Sequence, residues 1–254
     1  MDVLEQLAKT FFDWEAMWAV VPEMLTVGLP NTLILAIASG AIGCLLGMIL
    51  AVMGISRNPI PRWIARVYTD VFRGLPAILT ILLIGLGLGP VFRSLTGSTN
   101  PFPLAILALS LMAAAYIGEI FRSGIQSVEK GQLEASRALG FSYGSAMSLI
   151  VIPQGIRRVL PALVNQLISL IKDSSLIYLL GLLASQREIF RIGNDAAANT
   201  GNLSPLVAAG LLYLLLTVPL THVVNFMDKR MREGRAQKVE PDEAAAVIGK
   251  GATT

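Results

Sequence analysis

Histidine and cysteine are almost missing from this chain of 254 residues: His222 and Cys44 stand alone. One of each cannot assemble a four-ligand zinc site. A lone cysteine forms no intrachain disulfide, so cysteine usage is silent on redox compartment. Charge is scarce as well. Only 15% of residues are charged, against about 25% in an ordinary soluble domain. No Gly-x-x-x-x-Gly-Lys-Ser/Thr segment occurs, so the chain lacks a phosphate-binding P-loop of its own. Its basic residues are not interleaved with aromatics, which argues against an RNA or DNA surface. Covalent catalysis, structural zinc and nucleic-acid binding are therefore poor readings.

What is abundant is apolar surface. The hydrophobic fraction is 54% and the mean hydropathy is +0.65. Uncharged windows cover 24–56, 74–92, 94–118, 159–171, 174–186 and 196–227. A bilayer core needs about 20 apolar residues per helix, and only helices or closed barrels can cross it. These runs are continuous, not alternating, so helices are the choice. The expected fold class is all-α and integral to the membrane, with five transmembrane helices near 24–55, 66–88, 102–128, 153–186 and 203–227. Gly43-x-x-x-Gly47 gives the first of these a small-residue packing face. The fourth is unusual. Lys172-Asp173 splits it into two uncharged pieces of 13 residues, each too short to span. One discontinuous helix is expected, of the kind tolerated where it lines a cavity.

Lys and Arg counts set the orientation. The loops after the first and third helices and the C-terminal stretch hold four, five and five basic residues. The other side holds Lys9, Arg93, Arg187 and Arg191. This places the N-terminus outside and the C-terminus in the cytoplasm. Residues 1–23 carry Asp2, Glu5, Asp13, Glu15 and Glu23 against Lys9, the wrong charge for a signal peptide. With Phe11, Phe12, Trp14 and Trp18 they suggest an interfacial segment; a frayed acidic terminus is the alternative. The segment 24–230 is expected to form one transmembrane domain. Residues 231–254 are expected to be a basic, disordered cytoplasmic tail.

Between the third and fourth helices lies Glu134-Ala135-Ser136-Arg137-Ala138-Leu139-Gly140, then nine residues, then Ile150-Val151-Ile152-Pro153. A short polar helix with a glycine stop at Gly140 is expected over 132–140. Such a helix, on the basic side of the bundle, suits docking of a soluble partner. The segment resembles the EAA signature of permease subunits of ATP-binding-cassette (ABC) importers, with Ser136 in place of Ala and Ile152 in place of Leu. Tyr68-Thr69-Asp70-Val71-Phe72-Arg73-Gly74-Leu75-Pro76 is similar to the Phe-Arg-Gly-Thr-Pro segment of that family. Tyr116 to Ile125 is similar to its Tyr-x-x-Glu-x-x-Arg-x-Gly-Ile segment, and Lys172-Asp173-Ser174-Ser175-Leu176 to Lys-Asp-Thr-Ser-Leu. These mark the polar amino-acid uptake branch (histidine/glutamine permease-like).

The resemblance implies a multi-pass permease of the bacterial cytoplasmic membrane with the type I ABC importer fold. It implies a coupling segment over about 132–147, in which Glu134, Ala135, Ser136, Arg137 and Gly140 meet a cytoplasmic ATPase. It implies no cofactor on this chain, with ATP and Mg on the ATPase pair. It also implies a second permease subunit, identical or homologous, and an extracytoplasmic amino-acid-binding protein. Lys172, Asp173, Ser174 and Glu119 are candidates for the substrate pathway. For Lys172-Asp173 a structural salt bridge is an equal alternative. For Glu119 an interfacial brace with Arg73 is the plainer reading. A secondary transporter would be expected to show an inverted repeat, and the odd helix number gives none. A non-transporting scaffold leaves the interrupted fourth helix unexplained.

Overall fold

The computed structural model describes the backbone of residues 3–250 and the side chains of residues 3–231. It is all-helical over these residues, and five stretches are long and apolar enough to cross a membrane. The first is longer than expected. Helix α1 (Val3–Phe11) is followed by α2 (Trp14–Glu23), a π turn at Met24–Gly28 and α3 (Leu29–Gly54). Residue 23 is therefore no boundary: α2 flows into the first span despite Pro22. Asp13 caps α2 by accepting from the Ala16 N–H at 3.2 Å. It also accepts from Asn202 Nδ2 at 3.0 Å, and its own N–H donates to Ser204 Oγ at 2.9 Å. These bonds stitch the N-terminal turn to the start of the last helix. Met17, Val20 and Met24 are buried against Ile189, Ile192, Ala208 and Ala209 in a small second core.

Helix α4 (Pro59–Gly74) starts at the Asn58 cap, whose side chain accepts from the Ile60 N–H at 3.0 Å. It stops before Pro76, since the residue preceding a proline avoids helical geometry. Leu75 is extended, so the second span is Ala77–Thr96, beginning with α5 (Ala77–Gly85), and not the expected 66–88. The connector expected beyond it contains α6 (Gly89–Thr96). Helix α7 (Phe102–Gln126) is the most enclosed element and packs parallel along α3, Ser39 meeting Ile106 and Gly54 meeting Arg122. Two close approaches fix that contact. A Cβ on Gly43 would lie 2.7 Å from Ala113 Cβ, and one on Gly47 would lie 2.9 Å from the Gly118 nitrogen. In lipid, such van der Waals contact replaces the hydrophobic drive that pairs helices in water.

After α7 come α8 (Lys130–Ala138), α9 (Tyr143–Ala146), a π turn at Met147–Val151 and α10 (Ile152–Asp173). The helix then tightens to 3₁₀ geometry over Ser174–Leu180. Between the fourth and fifth spans, where no helix was expected, lies α11 (Ile189–Thr200). Helix α12 runs Ser204–Lys250, with its membrane-length part at Ser204–Met231. The tail expected over 231–254 lies, beyond Met231, outside the residues whose side chains are described.

Candidate functional site

The polar segment between α7 and α10 forms a surface helix with a sharp stop. Glu134, Ala135 and Arg137 are exposed, whereas Ser136 is buried at 3% and its hydroxyl donates back to the Gln132 carbonyl at 2.5 Å. Gly140 has φ +89°, and the chain reverses there through two backbone bonds. Phe141 N donates to Ser136 O at 3.2 Å and Gly140 N to Arg137 O at 3.1 Å. This is the Schellman arrangement, which asks for glycine at the left-handed position. A Cβ at Gly140 would meet nothing within 4 Å. Within this chain, the requirement for glycine is thus conformational. Glu134 and Arg137, three residues apart, do not pair; Arg137 donates to the Phe141 carbonyl at 2.8 Å instead. Leu139 projects from the turn at 79% exposure, beside exposed Phe141 and Tyr143.

The segment is held from behind. Gln154 Nε2 donates to Gln132 Oε1 at 3.4 Å, and the Arg158 guanidinium donates to the Ser127 carbonyl at the end of α7. From the side, the Arg57 guanidinium lies 5.2 Å from the centre of the Tyr143 ring. This links the surface segment to the α3–α4 loop.

A second group of candidates sits where α10 ends. Asp173 is the last α-helical residue and half-buried, Lys172 is exposed, and Ser174 is fully buried. Ser174 and Ser175 turn their hydroxyls back onto the Ile171 and Lys172 carbonyls, each at 2.7 Å. These bonds compete with the α-helical ladder just where it gives way to 3₁₀. Lys172 and Asp173 make no ion pair, with each other or elsewhere, among the described residues. The salt-bridge alternative for them is not realised.

Glu119 differs from expectation. Its carboxylate is gripped in two-pronged fashion by Arg122, Nε to Oε1 at 2.9 Å and the terminal nitrogen to Oε2 at 2.6 Å. Arg73 instead stacks over the Tyr116 ring, 5.3 Å from its centre. The local i, i+3 partner wins over the cross-helix one because it needs no helix to be brought close. Nearby, Tyr68 donates to the Leu111 carbonyl at 2.9 Å, and burial pushes its phenol up to about 12.

The comparisons with known proteins decide the family. Residues 43–233 match the family described as "Binding-protein-dependent transport system inner membrane component". The chain belongs to that family. Similar to it is the arginine transport system permease protein ArtQ of Bacillus subtilis (strain 168), 37% identical over 216 residues, covering 84% of this chain and 96% of the relative. The glutamate/aspartate import permease protein GltK of Escherichia coli O6:H1 (strain CFT073) is 33% identical over 224 residues, covering 86% of this chain and 98% of the relative. Among solved structures, an amino acid ABC transporter crystallised with histidines superposes with a TM-score of 0.73 at 30% identity, over 86% of this chain and 98% of that one. The five spans are thus those of an inner-membrane permease with the type I importer fold, a multi-pass membrane protein.

One polar residue of this permease escaped the sequence. Glu188 is fully buried and caps α11. Its carboxylate accepts from Phe190 N at 2.6 Å, from Arg191 N at 2.7 Å and from the Tyr213 hydroxyl at 3.1 Å. Thr32 Oγ1 accepts the next donor, Ile189 N, at 3.3 Å. Burial pushes the Glu188 carboxyl up to about 7, against the opposing pull of those donors and of the Arg191 charge. Outside this knot, Arg187 joins Glu23 to Asp195, and Arg191 Nε holds Asp195 at 2.9 Å. The signal for α11 was present: Ile189, Ile192, Gly193 and Ala197 recur at helical spacing and are all buried. Nothing marked Glu188, because glutamate is not a favoured capping residue.

Proposed function

We propose that this chain is the membrane-spanning subunit of an ATP-driven importer that carries a polar amino acid across the bacterial cytoplasmic membrane. The single observation that supports it best is the exposed, glycine-stopped helix 130–140 in a permease-family chain without a P-loop. The energy source then sits on another polypeptide, and this helix is the part shaped to meet it. The named relatives move arginine or glutamate and aspartate, so a polar amino acid is the substrate class in keeping with them.

The excess of Lys and Arg in the loops after the first and third spans and near the C-terminus favours an external N-terminus and a cytoplasmic C-terminus. The 132–147 segment then faces the cytoplasm. Glu134, Ala135, Arg137 and Gly140 contact one subunit of an ATPase pair, which holds ATP and Mg, while buried Ser136 supports the helix from within. A second permease, identical or homologous, completes the pathway, and an extracytoplasmic binding protein delivers substrate. Closure of the ATPase pair draws the two coupling segments together, and the bundles rock outward. Hydrolysis restores the inward state. The permease makes and breaks no covalent bond; it works by differing affinity of two conformations. Lys172, Asp173 and Ser174 lie at the α-to-3₁₀ change, and an unpaired charge at membrane depth is costly unless it faces water or a partner. We place them beside the pathway; Glu119, also a pathway candidate, is gripped by Arg122 and lines a separate cleft under α4.

Co-purification is the test. The tagged permease should bring down an ATPase whose turnover a cognate binding protein raises. A permease that purifies alone, from cells expressing its genomic neighbours, would sink the reading. Asp173→Asn should weaken amino-acid uptake more than it lowers the amount of assembled complex. An unchanged dependence on substrate concentration would leave Asp173 a structural helix breaker.

A further inference from the structure

Helix α4 has two unlike sides. Ile60, Trp63, Ile64, Val67 and Val71 are exposed and apolar, with Trp63 at 65%. The other side, carrying Arg62, Arg66, Asp70 and Arg73, closes over α3 and α7 around a cleft of about 250 Å³. Arg122 and Glu119 complete its polar wall. Four guanidinium groups thus converge on one cleft with two carboxylates.

The ion pairs make the imbalance sharper. Glu119 is already occupied by Arg122, as described above. Arg62, Arg66 and Arg73 form no ion pair among the described residues. Arg62 spends two donors on the Ser56 and Arg57 carbonyls, each at 3.0 Å, and Arg73 rests on Tyr116. That leaves cationic faces directed into a cavity, with Asp70 as the only carboxylate not already gripped. A guanidinium fork matches a phosphate as it matches a carboxylate, two bonds at a time.

We propose that this cleft binds the phosphate of an anionic phospholipid headgroup. Its depth argues for a lipid over a free anion. The cleft lies between the ends of the first and third spans, Val3–Gly54 and Phe102–Gln126, with α4 across it. Exposed Trp63 marks the level at which amphipathic aromatics settle, and the apolar side of α4 offers itself to acyl chains. Basic pockets between transmembrane helices on the cytoplasmic side are suited to such headgroups. The inference rests on the proposed orientation and goes beyond the transport reading: it makes α4 a lipid-anchored lever beside the Arg57–Tyr143 contact with the coupling segment.

The experiment is lipid retention by the purified permease complex in neutral detergent, measured by native mass spectrometry. Phosphatidylglycerol and phosphatidylcholine are offered at equal concentration. The wild-type complex should retain phosphatidylglycerol at least tenfold better. Arg62→Gln with Arg66→Gln should lower that retention about 25-fold, at about fivefold per charge removed, whereas Arg157→Gln should not. Equal retention of the two lipids by the wild-type complex would overturn the proposal, and this comparison needs no variant to fold. So would retention unchanged in the double variant. Displacement by inorganic phosphate would make the cleft a site for small anions, and displacement by free amino acids would assign it to the transported substrate; either result overturns the lipid reading. Detergent abolishes sidedness and the readout needs no uptake. A negative result therefore speaks against the cleft alone, and failed co-purification of an ATPase speaks against the transport reading alone.

Discussion

Ser136 and Glu188 are both buried polar residues at short surface helices, and the structure treats them in opposite ways. Around Ser136 almost everything is turned outward: its neighbours on α8 are exposed, the turn at Gly140 is open, and Leu139 stands in solvent. Around Glu188 nothing is spare. Its carboxylate is filled by two backbone N–H groups and a phenol, and the next N–H is taken by Thr32. The first region has few internal partners to satisfy, as the proposed docking surface requires. The second ties α3, α11 and α12 into one unit at the opposite end of the bundle. The proposed rocking of rigid bodies needs both: an exposed handle braced to the bundle and joints that hold.

The largest effect is expected where the joint is cut. Glu188→Ala leaves two backbone N–H groups without an acceptor, while the Tyr213 hydroxyl keeps Ser174 and Thr32 beside it. Each orphan costs about 1–3 kcal/mol, so the complex should lose about 2 kcal/mol or more. Thermal unfolding in detergent, followed by intrinsic fluorescence, should show a clear drop in midpoint. A variant as stable as the parent would mean that the knot is dispensable and the contrast false.

Overpacking the α3–α7 contact comes next. Gly47→Leu must displace backbone, since a Cβ already meets the Gly118 nitrogen at 2.9 Å. About 1–3 kcal/mol is expected, read as reduced assembled complex on size exclusion. Gly140→Leu, at φ +89° but with open space around it, should strain the turn by about 1–2 kcal/mol without displacing a packed contact, and so lower assembly less.

The knot also carries a pH signature. A carboxyl raised to about 7 from 4.5 holds a proton in the folded chain that the unfolded chain has released. Its stabilising share is therefore complete below about 4.5 and declines as pH rises toward 7. Midpoints measured between these values should fall with rising pH, and Glu188→Gln should flatten that slope. A slope identical in both proteins would mean another group is responsible.

The smallest effect concerns Glu119 and Arg122. Their side chains are 31% and 36% exposed, so the pair should contribute at most about 1 kcal/mol. Exchange of the two charges, Glu119→Arg with Arg122→Glu, should restore most of what either single change loses. Adding Arg73→Glu to Glu119→Arg should restore less. The reverse ranking, read as assembled complex, would favour the cross-helix brace with Arg73.

What the sequence made legible follows from the strength of each local signal. The five spans were legible because lipid demands long apolar runs, and no tertiary context can relax that demand. The stop at Gly140 was legible because a left-handed turn after a polar helix leaves few choices other than glycine. The change of helix type at Asp173–Ser174 was legible because two charges at membrane depth must interrupt something. The join at residue 23 was not: five acids suggested a surface, but Met17 and Val20 are buried against α11 and α12, residues almost two hundred positions away. Helix α11 was hidden by its polar residues, although its buried side repeats at helical spacing. The partner of Glu119 was misjudged because two charges at similar depth on different helices looked closer than Arg122, one turn away.

Coupling at Gly140 is the most direct test of the account. Uptake per ATP hydrolysed is measured in vesicles holding the full importer, with Gly140 replaced in turn by Ala and by Asn. Asn tolerates a positive φ far better than Ala does, so a purely conformational role predicts that Asn is mild and Ala is harmful. Both variants are expected to assemble and to lose uptake relative to hydrolysis, because any side chain at the exposed turn holds the ATPase away. Normal uptake per ATP in Gly140→Asn, with loss only in Gly140→Ala, would contradict it and reduce Gly140 to a helix stop.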